Sequence, residues 1–196
     1  MADIPLAGAG APNIAVPGLG VVWHGNLLDG PPPGDQPVVC WSGWAGDQPR
    51  AMDRVWSASF ETWGPAGIAS RDEAIGELAA SRREVLIRPH ARHALSDTPG
   101  VATVARDQGG SRLGVLLEPA ALFTPEMLRD ADEHIERMAQ LLVPLAAAIL
   151  LSDVSSADDE LRLVAAGEGE LRDALGPIQS SAEQVGIPIH RAVEAG

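Results

Sequence analysis

Imidazoles, carboxylates and arginines follow the apolar runs of this chain. Ser42, Trp44 and Asp47 come after Pro37–Trp41, and Arg88, His90, Arg92 and His93 after Val85–Ile87. Glu118 follows Leu113–Leu117, Ser152 and Asp153 follow Ala146–Leu151, and His190, Arg191 and Glu194 follow Ile187–Ile189. Gathered at one rim, carboxylate oxygens and imidazole nitrogens hold a divalent cation, and the metal polarises a polyol or sugar phosphate. Arginines beside them suit a phosphate or carboxylate. The face of a tryptophan such as Trp44 stacks on a sugar ring.

Each of these residues also has a plainer reading, since polar residues follow any buried strand where the chain leaves the core. Asp153, within Ser-Asp-Val-Ser-Ser, reads as a cap for the following turn. His134 reads as a solvated or half-buried side chain in a helix, and the acidic runs 130–136 and 158–160 as solvated faces. Cys40 sits in an apolar run and reads as packing. Trp56, Phe60 and Trp63, spaced by four and three, share one face of a helix and predict a local hydrophobic cluster.

Composition removes several chemistries. All 14 basic residues of the 196-residue chain are arginine, and tyrosine is absent. Without lysine there is no Schiff base, no pyridoxal phosphate attachment and no P-loop. A single cysteine, Cys40, excludes an internal disulfide and a cysteine-rich zinc site. The net charge of −13 repels phosphates, which argues against nucleic acid and anionic membrane as partners. Leu141–Leu151 is too short to cross a bilayer and contains Pro144. The opening MADIPLAGAG lacks a basic n-region, so the expectation is a cytoplasmic protein, with a homo-oligomer compatible.

The elements that must position these groups follow from the same runs. Residues 1–35 are rich in glycine and proline. The reading there is a loose arm over 1–12, a short strand at Leu19–Trp23 and a rigid loop over 30–37, where proline forbids helix. From residue 36 onward a single domain is expected. Its apolar runs lack polar alternation, as strands buried on both faces of a parallel sheet do. Between them, Ser70 with Glu73 reads as a capping box, and Thr124-Pro125 as a helix start leading to Met127, Leu128, Ala131, Ile135, Met138 and Leu142. Leu171 and Leu175 suggest a last helix that Gly176-Pro177 breaks or kinks. Spacings of 30 and 32 residues from Val85 to Val115 to Ala147 are those of strand–helix units. No GxGxxG opens a helix, so a dinucleotide fold has no positive support. The fold class expected is α/β, built of parallel strand–helix repeats.

Arg83–His90, Thr98–Ala105, Leu113–Pro119, Ala148–Asp153 and Ala166–Leu171, in this order, resemble the sugar phosphate isomerase/epimerase family, the xylose-isomerase-like TIM barrels, over residues 83–194. The resemblance implies a TIM-barrel-like fold. Eight units of about 30 residues need roughly 240, so 196 residues with a Gly/Pro-rich start imply a shortened or incomplete barrel. It also implies metal-assisted proton transfer on a small sugar or polyol, with Mn, Co, Zn or Mg held by His90, Glu118, Asp153 and His190. Glu118 and Asp153 would be the catalytic carboxylates; Arg88, Trp44 and Arg191 would contact the substrate, a sugar or sugar phosphate. The chain departs from the pattern in several places. Arg88 stands where the family's first glutamate falls, Ala120, Ala121 and Leu122 stand where a histidine is expected, and the histidine of the next strand is absent from Ile149–Leu151. The alternative is therefore a degenerate barrel that binds an anionic small molecule or a protein partner without metal.

Overall fold

A computed structural model describes residues 3–6, 13–45, 60–108, 111–157 and 160–194. Asp47 and Trp56, named above as candidates, lie outside the described residues. Ten strands and four α-helices are present among the described residues. The strands are β1 (Asp3–Leu6), β2 (Ile14–Val16), β3 (Gly20–Trp23), β4 (Val38–Trp41), β5 (Val85–Arg88), β6 (Leu113–Leu117), β7 (Ala148–Leu151), β8 (Asp153–Ala157), β9 (Glu160–Val164) and β10 (Ile189–Glu194). The helices are α1 (Pro65–Ala80), α2 (Thr98–Asp107), α3 (Ala131–Leu141) and α4 (Gly176–Val185).

Eight strands form one sheet in the order β1-β10-β7-β6-β5-β4-β3-β2. Every pairing in it is parallel except β2 with β3. The apolar runs read as parallel strands thus run side by side in one direction. The sheet curls into a nearly closed barrel. Ile4 from one edge and Val16 from the other share a core cluster with Val22, Val39, Leu116, Ala148, Leu150 and Ala192. These residues alternate along their strands with the outward ones, such as Val38, Cys40, Val85, Ile87, Val115 and Ile149. The outward set packs under Ile75 and Leu78 of α1, Val101 of α2, Ile135 and Met138 of α3 and Ile178 of α4. Both sheet faces are buried, which is why the runs carry no polar alternation.

Several expectations are corrected. Asp3–Leu6, read as part of a loose arm, is an edge strand with Asp3 opposite Arg191 and Leu6 opposite Glu194. Ser70 caps nothing: it lies inside α1, which starts at Pro65 after Gly64, because proline at the first helical position is a stronger start than a mid-run serine. Pro125 opens a 3₁₀ stretch to Asp130, and the α-helix proper begins at Ala131. Gly176-Pro177 begins α4 rather than breaking a helix. There proline's missing N–H is one of the donors a helix start leaves unpaired in any case. The last strand begins at Ile189, so His190 and Arg191 lie inside it and not beyond its end.

The proline loop is held from the core side. Arg83, 9% exposed, donates to the carbonyls of Pro32 (2.7 Å), Pro33 (3.3 Å) and Gly34 (2.7 Å). Three carbonyls in one fork suit a guanidinium, which has five donors and no acceptor. After β7 the chain leaves the barrel directly into the antiparallel pair β8–β9, which the sequence reading does not contain. Among the described residues no helix is long and apolar enough to cross a membrane.

Candidate functional site at the carboxyl mouth

The enclosed face of the sheet is apolar until the strands end. Following the alternation set by Val22, Val39, Leu86, Leu116 and Leu150, the next enclosed positions toward the carboxyl ends are His24, Trp41, Arg88, Glu118 and Ser152. All five are buried: His24 is 4% exposed, Trp41 2%, Arg88 5%, and Glu118 and Ser152 0%. Parallel pairing delivers them to one end of the barrel.

Arg88 organises the group. Its Nε donates to Glu118 Oε2 at 2.5 Å from the neighbouring strand. Its guanidinium carbon lies 3.8 Å from the centre of the Trp41 ring, a cation–π contact. Its Nη atoms have no acceptor among the described residues. Glu118 Oε1, Ser152 Oγ, Trp41 Nε1 and both ring nitrogens of His24 are buried without a hydrogen-bond partner. Buried polar groups are normally satisfied, and here the unsatisfied donors and acceptors are concentrated at one end of the sheet.

A second layer of imidazoles leans on this group from the segment after β5. His90 and His93 stack with ring centres 4.7 Å apart. The Trp41 ring meets both edge-on, at 5.4 and 5.3 Å, and Trp44 covers His93 at 5.1 Å. Trp44 is pinned by Asn26, whose side chain accepts from Trp44 N–H at 2.9 Å and donates to its carbonyl at 2.8 Å. Gly43, at φ +82, makes the turn into Trp44; a Cβ there would meet Asn26 and Leu28 at 2.9–3.0 Å. Ser42 Oγ accepts from Leu95 N–H at 3.3 Å, and Trp63 Nε1 donates to the His93 carbonyl at 3.0 Å.

The imidazoles are held neutral. Burial, then the charges of Arg88 and Arg92, bring the His90 pKa down to about 3. Burial, the neighbouring His90 and Arg88 lower His93 well below the usual histidine range. Burial and Arg88 lower His24. A neutral imidazole offers one donor and one acceptor. In His90 the acceptor is fixed: Nδ1 takes the N–H of Arg92 at 3.1 Å.

The other expected site residues are scattered. His190 faces Leu150 in the pairing with β7 and alternates with enclosed Ala192, so it lies on the barrel side but deeper than Ser152. Arg191 is exposed on the opposite face of β10 and does not reach the mouth, and Glu194 is exposed at the strand's end. Trp44 supports His93 and is not an open stacking surface. Cys40 is buried on the outer face, and burial pushes its thiol up to about 12, in keeping with packing. His24, absent from the expected set, follows the run ending at Trp23 but sits behind a glycine- and proline-rich start.

Asp153 is the first residue of β8. Its Oδ1 accepts from Val154 N–H at 2.8 Å and Leu171 N–H at 2.7 Å, tying the hairpin to the turn that follows β9. A Cβ on Gly169 would come within 2.1 Å of the Val154 carbonyl, so only glycine fits against this tie. Asp153 opens a strand and caps no turn; it is an acceptor whose partner 18 residues away is a tertiary one. Asp153→Ala is expected to destabilise by about 2–4 kcal/mol, because two buried amides lose a charged acceptor. Asp153→Asn keeps Oδ1 and is expected to cost about 1 kcal/mol or less. Urea unfolding of the two variants checks this; equal losses would show that the tie is not the role of Asp153.

The fit to a divalent metal is poor. One oxygen of Glu118 is committed to Arg88 and one of Asp153 to two amides. His190 lies deeper in the barrel, and among the described residues no three His, Cys, Asp or Glu side chains gather as ligands. A guanidinium at the centre of the group repels a cation from the position a shared metal would need. Fold and mouth together define a mostly parallel α/β barrel-like protein with an arginine-centred polar end. No protein-family model, curated protein or solved structure matches the chain.

Proposed function

We propose that the carboxyl mouth of the barrel binds a small anionic molecule without a metal, in a TIM-barrel-like scaffold that lacks the metal-assisted isomerase chemistry its sequence resembles. The observation that carries this is the state of Arg88. It is buried, stacked on Trp41 and oriented by Glu118, yet its Nη donors are unclaimed among the described residues. An oriented guanidinium with two open donors is a carboxylate or phosphate clamp. Neutral histidines around it supply hydrogen bonds without competing charge.

A thermal-shift panel tests the reading. Short carboxylates and phosphate at ten times their dissociation constants are expected to add about 1.4 kcal/mol, a rise of roughly 3–5 °C, and Mn²⁺, Co²⁺, Zn²⁺ and Mg²⁺ none. One observation favours the metal-assisted sugar isomerase or epimerase instead: Glu118 Oε1 and Asp153 Oδ2 are both buried and unpartnered carboxylate oxygens, one and two residues past the ends of the adjacent strands β6 and β7. Stabilisation by a divalent cation and not by anions would select that reading.

A further inference from the structure

Arg88 and Glu118 do not cancel each other fully; each keeps an unused edge. The Nη side of Arg88 presents donors, and Glu118 Oε1, buried with no partner, presents an acceptor beside it. The two edges are neighbours because the side chains are joined through Nε and Oε2. A simple anion satisfies only the first edge and sets its own negative charge against Glu118. A ligand that satisfies both must carry acceptors and a donor within a few bonds of each other. We propose that the mouth takes a small carboxylic acid bearing a hydrogen-bond donor, hydroxyl or ammonium, on the carbon next to the carboxylate. The inference rests on the anion-binding reading of the same mouth and narrows it to one ligand class.

The carboxylate lies on the Arg88 Nη atoms, and the donor lies on Glu118 Oε1. Ser152 Oγ, just past the end of β7, is buried and unpartnered, and as a hydroxyl it both donates and accepts. It completes the shell of the donor group without choosing between hydroxyl and ammonium. His24, buried across the mouth and feeling the Arg88 charge, offers a further neutral contact. The formal charges of the pair, one positive and one negative, match a zwitterion; the unpaired oxygen alone matches a hydroxyl.

Binding of lactate, alanine and propionate to the unmodified protein, followed by ligand-detected NMR and thermal shift at millimolar concentration, separates the outcomes. Lactate or alanine is expected to bind at least about tenfold more tightly than propionate, which leaves Glu118 Oε1 desolvated and unmet. Preference for alanine assigns the donor as ammonium, preference for lactate as hydroxyl; either supports the proposal. Propionate binding as tightly as both would overturn it while leaving the anion site intact. No binding by any of the three acids or by phosphate would overturn both. Ser152→Ala gives a second readout in a fold-preserving variant: it is expected to weaken lactate or alanine about fivefold or more and propionate little. An equal loss for all three acids would count against Ser152 facing the donor group.

Discussion

Glu118→Ala is expected to lower stability by about 3–5 kcal/mol, because it leaves the Arg88 charge nearly buried without its counter-charge. The side chains of Arg88 and Glu118 are 6% and 0% exposed, and they meet through a single Nε–Oε2 contact of 2.5 Å. A surface pair would be worth a fraction of this. For a chain of this length the loss corresponds to roughly 6–20 °C in melting temperature. Arg88→Met alone is expected to cost a comparable amount, leaving the Glu118 carboxylate buried with neither oxygen partnered. The double change Arg88→Met with Glu118→Leu removes both charges and is expected to recover most of the loss while abolishing anion binding. That pattern separates structure from function: the apolar pair folds, and the clamp is gone. A Glu118→Ala loss below about 1 kcal/mol, measured by urea unfolding, would mean the pair is screened like a surface ion pair.

Acid is expected to weaken the fold, beginning just under neutrality. Unfolded histidine titrates near 6.5, whereas burial and the two arginines hold native His90 down to about 3. Between those values the unfolded chain takes up a proton that the native state refuses. Stability present above pH 6.5 is therefore lost as pH falls, by about 1.4 kcal/mol per pH unit for each such histidine. For His90 alone the loss is ~2 kcal/mol at pH 5. His93 and His24, both lowered, push in the same direction. Urea midpoints at pH 7.5 and pH 5, compared between the unmodified protein and His90→Asn, check this. Asparagine offers an oxygen where Nδ1 accepts the Arg92 amide, so the fold has a substitute acceptor but no titrating ring. The variant is expected to lose about one proton's worth of pH dependence; an unchanged slope would show that His90 is protonated in the folded state.

Both results trace to the same positions in the sequence, and those were partly readable. Val85–Ile87 and Leu113–Leu117 announce strands by lacking polar alternation, and the first residues after them, Arg88 and Glu118, end up in contact at the mouth. Their encounter needs only that the two strands be parallel neighbours in register. His24 and Trp41 obey the same rule but were hidden, His24 behind a glycine- and proline-rich start and Trp41 inside its own run. Arg191 and His190 lie inside β10 because it starts two residues later than the apolar run suggests, and a strand's offset decides which face each side chain takes. Asp153 looked local, yet half of its work is done on Leu171, which only the return of the β8–β9 hairpin brings near.

By itself, the amino-acid order determined that strands and helices alternate, that the strands are covered on both faces, and that lysine, tyrosine and an internal disulfide are absent. These are properties of composition and short-range periodicity. Only the folded chain decided that Asp3–Leu6 pairs with the last strand, that Arg88 meets Glu118 and Trp41 at the mouth, and that burial lowers the pKa values of its histidines. Strand offset, desolvation and charge proximity depend on which distant segments become neighbours, and no local pattern encodes that.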